Sequence, residues 1–552
     1  MENSPNPRRS AAKRPAQGQS YPKSSRRPAT NQPPAGDDGA EKRGESARNR
    51  RGDHAPQGDN RAAGGRRYGT SSRGPDARSR GPASRNPATG EFPAHETSNA
   101  KSVRQRRAQI DSGSEVQRRL ALYSPEMLSP RPLTADKIPV IVARSPSRHP
   151  YYFRKMLVSG IKAAQPGDLV KVVLEESQQT LGYGLYNPRA EMTVRMLTRG
   201  DQIPDEAWWK SKLEAAVKFR TETLGLEQQG NVYRLVHAEG DGLPGLMVDR
   251  YGDVLSVEAF NLGMYQRAES ILDLLAACTG AKHGILRPGA YAAQLEGFDA
   301  DPFGSENAPE SVQVVENGVK YEVQFEDGHK TGFFCDQRQN RARVAELAAG
   351  QRVLDLCCYS GGFALSAAVA GAKSVHGVDL DEAAIAVAKK NAKLNKVQIE
   401  WAHADIFAWM REAQKQGQQW DIVVLDPPKL IRTRDDYEDG RKKYFDMNRL
   451  AASLVAPGGM LITCSCSGLL SSADFTRVTG YAIDNAGRSA RLCEQTGAGP
   501  DHPVHVRCPE SLYLKVNWYW FDEAPVTKSA HLPEDLMEDF TGESDSLTDS
   551  DD

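Results

Sequence analysis

Residues 352–363 read Arg-Val-Leu-Asp-Leu-Cys-Cys-Tyr-Ser-Gly-Gly-Phe, an apolar run that enters a glycine pair and passes into helical spacing from Phe363. Glycines at such a junction let the backbone turn sharply and approach a ligand closely. The loop lacks the Lys-Ser/Thr pair that would hold a phosphate and magnesium, so nucleotide phosphate binding is disfavoured. The residues downstream decide the fold. Short apolar runs recur at 374–379, 399–403, 421–426 and 460–465, with helical stretches such as 381–394 between them. This alternation predicts an α/β, doubly wound, Rossmann-like parallel sheet whose ligands lie at the carboxyl ends of the strands.

Upstream the pattern changes. Runs at 138–142, 169–174 and 182–186, with turns at Pro166-Gly167-Asp168 and Asn187-Pro188, predict a small β unit over 136–200. Residues 208–226 and 264–278 have helical spacing, 233–237 and 254–258 read as strands, and Asn317-Gly318 marks a hairpin between 312–315 and 321–325. That predicts an α+β connector over 201–326, ahead of the doubly wound domain at 327–521.

The ends differ from the middle. The 552-residue chain has a net charge of −1, yet residues 1–130 hold 25 Lys+Arg against 13 Asp+Glu, and residues 522–552 hold 11 acidic residues and only Lys528. Residues 1–102 contain no Leu, Ile or Val, so burial cannot offset their ordering entropy, and a disordered basic arm is expected. An amphipathic segment at 116–122 precedes the folded part, and the acidic end reads as a second disordered tail. Repeated RR and RG pairs suit a phosphate-seeking arm, and equally a solubilising one. The sequence has neither an apolar run of membrane-spanning length nor a secretory signal, and eight scattered cysteines favour reduced thiols. A cytoplasmic protein is expected.

Function should lie where the strands end. Asp379 closes the second strand, where a carboxylate can accept hydrogen bonds from the ribose of an adenosine cofactor, and Asp405 follows the third, placed for the adenine amino group; either could instead cap the next helix. The fourth strand ends in Asp426-Pro-Pro-Lys429, a stiff loop that can hold a carboxylate against a planar ring. The fifth ends in Thr463-Cys-Ser-Cys-Ser-Gly468. Carbon 5 of a pyrimidine is a poor nucleophile; a thiolate added to carbon 6 makes it enamine-like. A cysteine at a strand end in the crevice suits that role, although buried cysteines are commonly inert. The CC and CxC spacings of Cys357, Cys358, Cys464 and Cys466 lack the two-residue gaps typical of zinc sites, so no metal is expected.

Several blocks together resemble a known family. Gly328-His-Lys-Thr-Gly-Phe-Phe-Cys-Asp-Gln-Arg338, Tyr359-Ser-Gly-Gly-Phe363, Asp426-Pro-Pro-Lys429, Ser465-Cys-Ser-Gly468 and Tyr513-Leu-Lys515 are similar to the bacterial large-subunit rRNA cytosine-C5 methyltransferases that carry a PUA domain. Upstream, Arg148-His-Pro-Tyr-Tyr-Phe153 with Gly184-Leu-Tyr-Asn-Pro188 resembles their PUA domain, and Glu239-Gly-Asp-Gly-Leu-Pro-Gly-Leu246 with Asp249-Arg-Tyr251 their connector. The resemblance implies S-adenosylmethionine (SAM) as cofactor, ribosomal RNA as partner and Cys466 as nucleophile, with Asp426 and Lys429 beside it. It places Asp355, Ser360, Gly361, Asp379, Asp405 and Asp426 around the cofactor and base, and Lys330, Phe334, Gln337 and Arg338 on a covering segment. Tyr151 stands where a tryptophan is usual, and Leu356-Cys357-Cys358 replaces a more usual Cys-Phe-Ser run. Two rival readings stay open: a nitrogen methyltransferase using Asp-Pro-Pro, and a non-catalytic ribosome-assembly factor. The oligomeric state is open too, a homodimer included.

Overall fold

The computed structural model describes residues 122–289, 291–325 and 333–523, which belong to one compact unit. The expectations for the basic arm before residue 122, for Lys330 and for the acidic tail after residue 523 lie outside the described residues. Among the described residues no helix is long and apolar enough to cross a membrane.

Seven strands form the sheet of the third domain: β1 (Arg352–Leu356), β2 (Ser374–Asp379), β3 (Glu400–His403), β4 (Trp420–Leu425), β5 (Val455–Ser465), β6 (Ala490–Thr496) and β7 (Lys515–Phe521). Their order is 3-2-1-4-5-7-6. β1 to β5 run parallel, and β7 pairs antiparallel with both β5 and β6. Successive strand side chains point to opposite faces, so both faces must be covered. Leu354, Leu356, Val423 and Leu425 enter one core layer with Met410, Met447 and Leu450 from helices Ile406–Lys415 and Tyr437–Ser453. Val353, Ile422 and Val424 enter the other with Val344 from helix Arg338–Ala348 and Phe363 from helix Gly362–Val369.

The first unit is a six-stranded β sheet spanning Val140–Ala143 to Val194–Met196. The connector holds a five-stranded sheet and the hairpin Ser311–Glu316 with Val319–Gln324, turned at Asn317 (φ 50°) and Gly318 (φ 83°). Leu246–Tyr251 and His283–Pro288 are connector strands that the apolar pattern did not single out. The helix expected over 208–226 is α-helical at Glu206–Lys218 and widens to a π turn at Phe219–Thr223. There Arg220, fully buried, donates to both carboxylate oxygens of Asp241 (2.6 and 2.8 Å) and to the Asp501 carbonyl (2.6 Å) of a loop in the third domain. A buried guanidinium needs several acceptors at once, and this bend supplies them.

The helix expected over 264–278 is broken into Leu262–Tyr265 and Ala268–Thr279. At the break the buried Arg267 donates to the Gly167 and Gly263 carbonyls (2.9 Å each). At Tyr151 the phenol donates to Glu239 of the connector (2.5 Å) while the Arg195 guanidinium lies over its ring, so this residue straps the first unit to the second.

Candidate active site

The crevice opens where β1, β4 and β5 end. Between β1 and the next helix, Cys357 (φ 60°), Tyr359 (φ 48°) and Gly361 (φ 86°) all take left-handed backbone. For Cys357 and Tyr359 that conformation is strained, and strain of this kind gathers at ligand-binding turns. At Gly361 a Cβ would come within 2.7 Å of the Trp401 ring. Buried Asp355 ties the loop down by accepting from the Ala364 amide (2.9 Å), while its second oxygen is buried without a hydrogen bond. Burial pushes this carboxyl up to about 8, with the charges of Asp426 and Asp379 adding to the rise. Asp379 accepts from the Tyr359 and Asp381 amides (2.8 and 2.9 Å), and a carboxylate has lone pairs to spare beyond two bonds. Ser360 is buried and its carbonyl accepts from Asn391 (3.3 Å).

Phe334 leans its ring on Tyr359 at 5.3 Å between centroids, so part of the expected covering segment does reach the loop. Gln337 donates to Asp426 (3.0 Å) and accepts from Asn340 (2.7 Å). Arg338 goes elsewhere: fully buried, it donates to the Val232 carbonyl of the connector. Asp405 is exposed and caps the helix that follows it, accepting from the Ala408 amide (3.0 Å). In that geometry it does what a capping aspartate does, with one oxygen left toward solvent. Lys429 is exposed at the rim.

Asp426 is the electrostatic centre. Burial raises its carboxyl to about 7, the nearby Asp336 adds to the rise, and the Gln337 amide opposes it. Asp336, which sequence reasoning gave no role, accepts from Tyr513 (2.5 Å) through one oxygen, and its other oxygen is buried without a hydrogen bond.

Cys335, Cys358 and Cys464 are buried and Cys357 is half-buried, and desolvation pushes all four thiols well above the ordinary range. Cys464, fully buried, is within hydrogen-bonding reach of Asp426 and Gln337. Cys466 is different. It is the first residue past β5, half-buried and packed against the core layer that holds Val353 and Val424. Its loop is held by a closed polar ring: Ser465 donates to Tyr444 (3.0 Å), the Tyr444 and Ser467 hydroxyls are 3.0 Å apart, and Ser467 accepts from the Ile431 amide (3.1 Å). Lys515, at the start of β7, completes the loop by donating to the Ser467 carbonyl (2.6 Å).

Comparison with known proteins fixes the family. An S-adenosylmethionine-dependent methyltransferase family matches residues 293–490, and a PUA-like domain family matches 142–199. Ribosomal RNA large subunit methyltransferase I of Pseudoalteromonas atlantica is 35% identical over 375 residues, 67% of this chain and 94% of the relative. That of Tolumonas auensis is likewise 35% identical over 376 residues. The chain belongs to the ribosomal RNA large subunit methyltransferase I family. Among solved structures, a proposed SAM-dependent methyltransferase from Streptococcus mutans shares the fold, with a TM-score of 0.58, 19% identity and coverage of 69% of this chain and 100% of that one.

SAM is the cofactor of this large-subunit methyltransferase I family member. The crevice fits it: the left-handed loop permits close backbone approach, Asp379 closes β2 with acceptor capacity left, Asp355 holds an unused buried oxygen, and the Phe334 and Tyr359 rings supply apolar cover.

Proposed function

We propose that this chain methylates carbon 5 of a cytosine in large-subunit ribosomal RNA through a transient bond from Cys466 to carbon 6. The observation that carries this reading is the contrast among thiols: Cys466, just past the end of β5, is half-buried, whereas Cys335, Cys358 and Cys464 are buried, and Cys357, though half-buried, has its thiol pushed well up by desolvation and by the charges of Asp379 and Asp426. The names of the relatives supply the RNA class. The PUA-like and connector units would grip folded RNA by phosphate and shape, and the target base would be flipped into the crevice.

The Cys466 thiolate adds to carbon 6, and the electron pair displaced from the 5,6 double bond is accepted at ring nitrogen 3, which takes a proton from Asp426. A carboxyl raised to about 7 can hold that proton at neutral pH. Bound SAM supplies an electrophilic methyl group, which carbon 5 takes up. A base then removes the carbon 5 proton, the sulfur–carbon bond breaks, the double bond returns, and nitrogen 3 gives its proton back to Asp426. Gln337 orients Asp426 throughout, and Asp379, Ser360, Gly361 and Asp355 would hold the cofactor.

Nucleoside analysis after incubation of the full chain with SAM and unmodified large-subunit rRNA tests the reading. The expected product is 5-methylcytidine, lost with Cys466→Ala. An N-methylated nucleoside that persists in Cys466→Ala would favour nitrogen chemistry at Asp426-Pro-Pro; no SAM binding at all would favour an assembly factor.

A further inference from the structure

The hydrogen bonds behind Gln337 decide which end of its amide faces Asp426. A side-chain amide has a donating end and an accepting end of nearly equal size, so its neighbours must set its orientation. A chain of groups from three elements sets it here. The Trp518 indole on β7, a donor only, gives its N–H to the Thr496 hydroxyl at the end of β6 (2.9 Å). That hydroxyl donates in turn to the Asn340 carbonyl oxygen (2.7 Å) in the first turn of helix Arg338–Ala348. The amino group of Asn340 donates to the Gly497 carbonyl (3.0 Å), an acceptor only, and to the Gln337 carbonyl oxygen (2.7 Å). Gln337 is left with its own amino group toward Oδ2 of Asp426 (3.0 Å). The polarity of the whole chain is therefore fixed by a group that only donates and a group that only accepts. Trp518, Asn340 and Gln337 are buried, which keeps water from supplying the alternative partners.

Resting on the reading of Asp426 as the acid, we propose that Asn340 is a positioning residue that acts through Gln337: it keeps an N–H donor on Oδ2 of Asp426 and so leaves the acid's proton to Oδ1. A proton on Oδ2 would meet the amino hydrogens of Gln337. With Gln337 turned round, its carbonyl oxygen would face Oδ2 and would be satisfied only by a proton there, held between Asp426 and Gln337 instead of offered to nitrogen 3. The other groups around Asp426 act on its charge. Asp336, in the turn Cys335–Gln337, disfavours the carboxylate, and Arg341, of helix Arg338–Ala348, favours it. Asp355 on β1 and Cys357 just after it meet Asp426 through charge, and Cys464 on β5 offers a thiol, a weak donor. The amide of Gln337 is the strong neutral donor whose direction another side chain fixes.

The test is the pH profile, from about pH 6 to 9, of single-turnover methylation of large-subunit rRNA by the full chain with SAM. Asp426→Asn is read first. An alkaline limb that persists in it removes the reading of Asp426 as the acid, whereas loss of the limb leaves that reading standing and Asn340 to be tested on its own. Asn340→Leu keeps the side-chain size and releases the Gln337 amide. It is expected to move the limb up by about one pH unit, the size of one hydrogen bond to a charged group, and to lower the plateau rate about tenfold. A plateau that falls while the limb stays in place reports a structural effect and overturns the proposal, as does an unchanged profile. Gln337→Met should raise the limb by a similar amount, and adding Asn340→Leu to it should move the limb no further, because the route runs through Gln337. An unmoved limb in Gln337→Met, or a further shift in the double variant, overturns the proposal. SAM binding by calorimetry reports folding. If Asn340→Leu fails that check, the smaller Asn340→Ala decides: a limb raised by about half a unit supports the proposal, and a limb at the wild-type position overturns it.

Discussion

Protonation of Asp426 sets the pH behaviour that the reaction should show. Its carboxyl is raised to about 7 because burial and Asp336 disfavour the charged form. A group used as an acid must carry its proton, so activity is present below that pH and lost as pH rises through it. Asp426→Asn is expected to lower kcat by roughly 10²–10⁴-fold and to remove this alkaline limb; a limb that persists in the variant would assign it to another group. Asp379 and Asp426 stood out in the sequence because each closes a strand, and Gly361 because its glycine pair opens a helix, positions that a doubly wound topology sends to the strand ends; Gln337 was named by the family resemblance alone. Arg338, named the same way, lies elsewhere: it follows Gln337 directly, but helix Arg338–Ala348 begins there and carries its side chain to the Val232 carbonyl. Adjacency in sequence does not fix the face. Asp336 and Lys515 acquire their neighbours only through tertiary pairing, with Tyr513 and with β5.

The turn between β1 and helix Gly362–Val369 is the element on which the proposed cofactor site depends. Gly361 has φ 86°, and a Cβ there meets Trp401 at 2.7 Å. Gly361→Ala is expected to cost about 1–3 kcal/mol from the backbone conformation alone and to weaken SAM binding at least tenfold, measured by thermal unfolding and calorimetry. Unchanged affinity would place the cofactor away from this loop. Strands β1, β2, β4 and β5 were legible because buried parallel strands read as apolar runs between helices, while β3 lies at the sheet edge with no buried residue. β6 and β7 were not singled out, since β6 is half-exposed with polar Arg491, Glu494 and Gln495 along it, and antiparallel return is not encoded in local pattern. The breaks at Phe219–Thr223 and before Arg267 were hidden for a related reason: buried arginines with distant carbonyl partners impose them.

Across the molecule, a buried ion pair binds the connector to the catalytic domain. Arg341 donates to both oxygens of Glu316 (2.7 and 2.9 Å) and to the Phe334 carbonyl (2.9 Å), and both partners of the ion pair are nearly inaccessible to solvent. Removing one partner leaves a buried charge uncompensated, so Glu316→Ala should destabilise by about 3–5 kcal/mol and loosen Phe334 over the crevice. A denaturant titration checks this, and a change below about 1 kcal/mol would mean that the pair contributes little. The charge asymmetry of the ends was legible in composition, whereas this seam pairs side chains from two domains and emerges only once they dock. The central claim, a sulfur–carbon bond at Cys466, is tested most directly by incubating the full chain with SAM and large-subunit rRNA containing 5-fluorocytidine, where fluorine blocks the final proton loss. The account predicts a denaturation-resistant RNA–protein adduct on the Cys466 peptide, absent in Cys466→Ala. Methyl transfer to unmodified RNA with no such adduct, or an adduct on another residue, would contradict it.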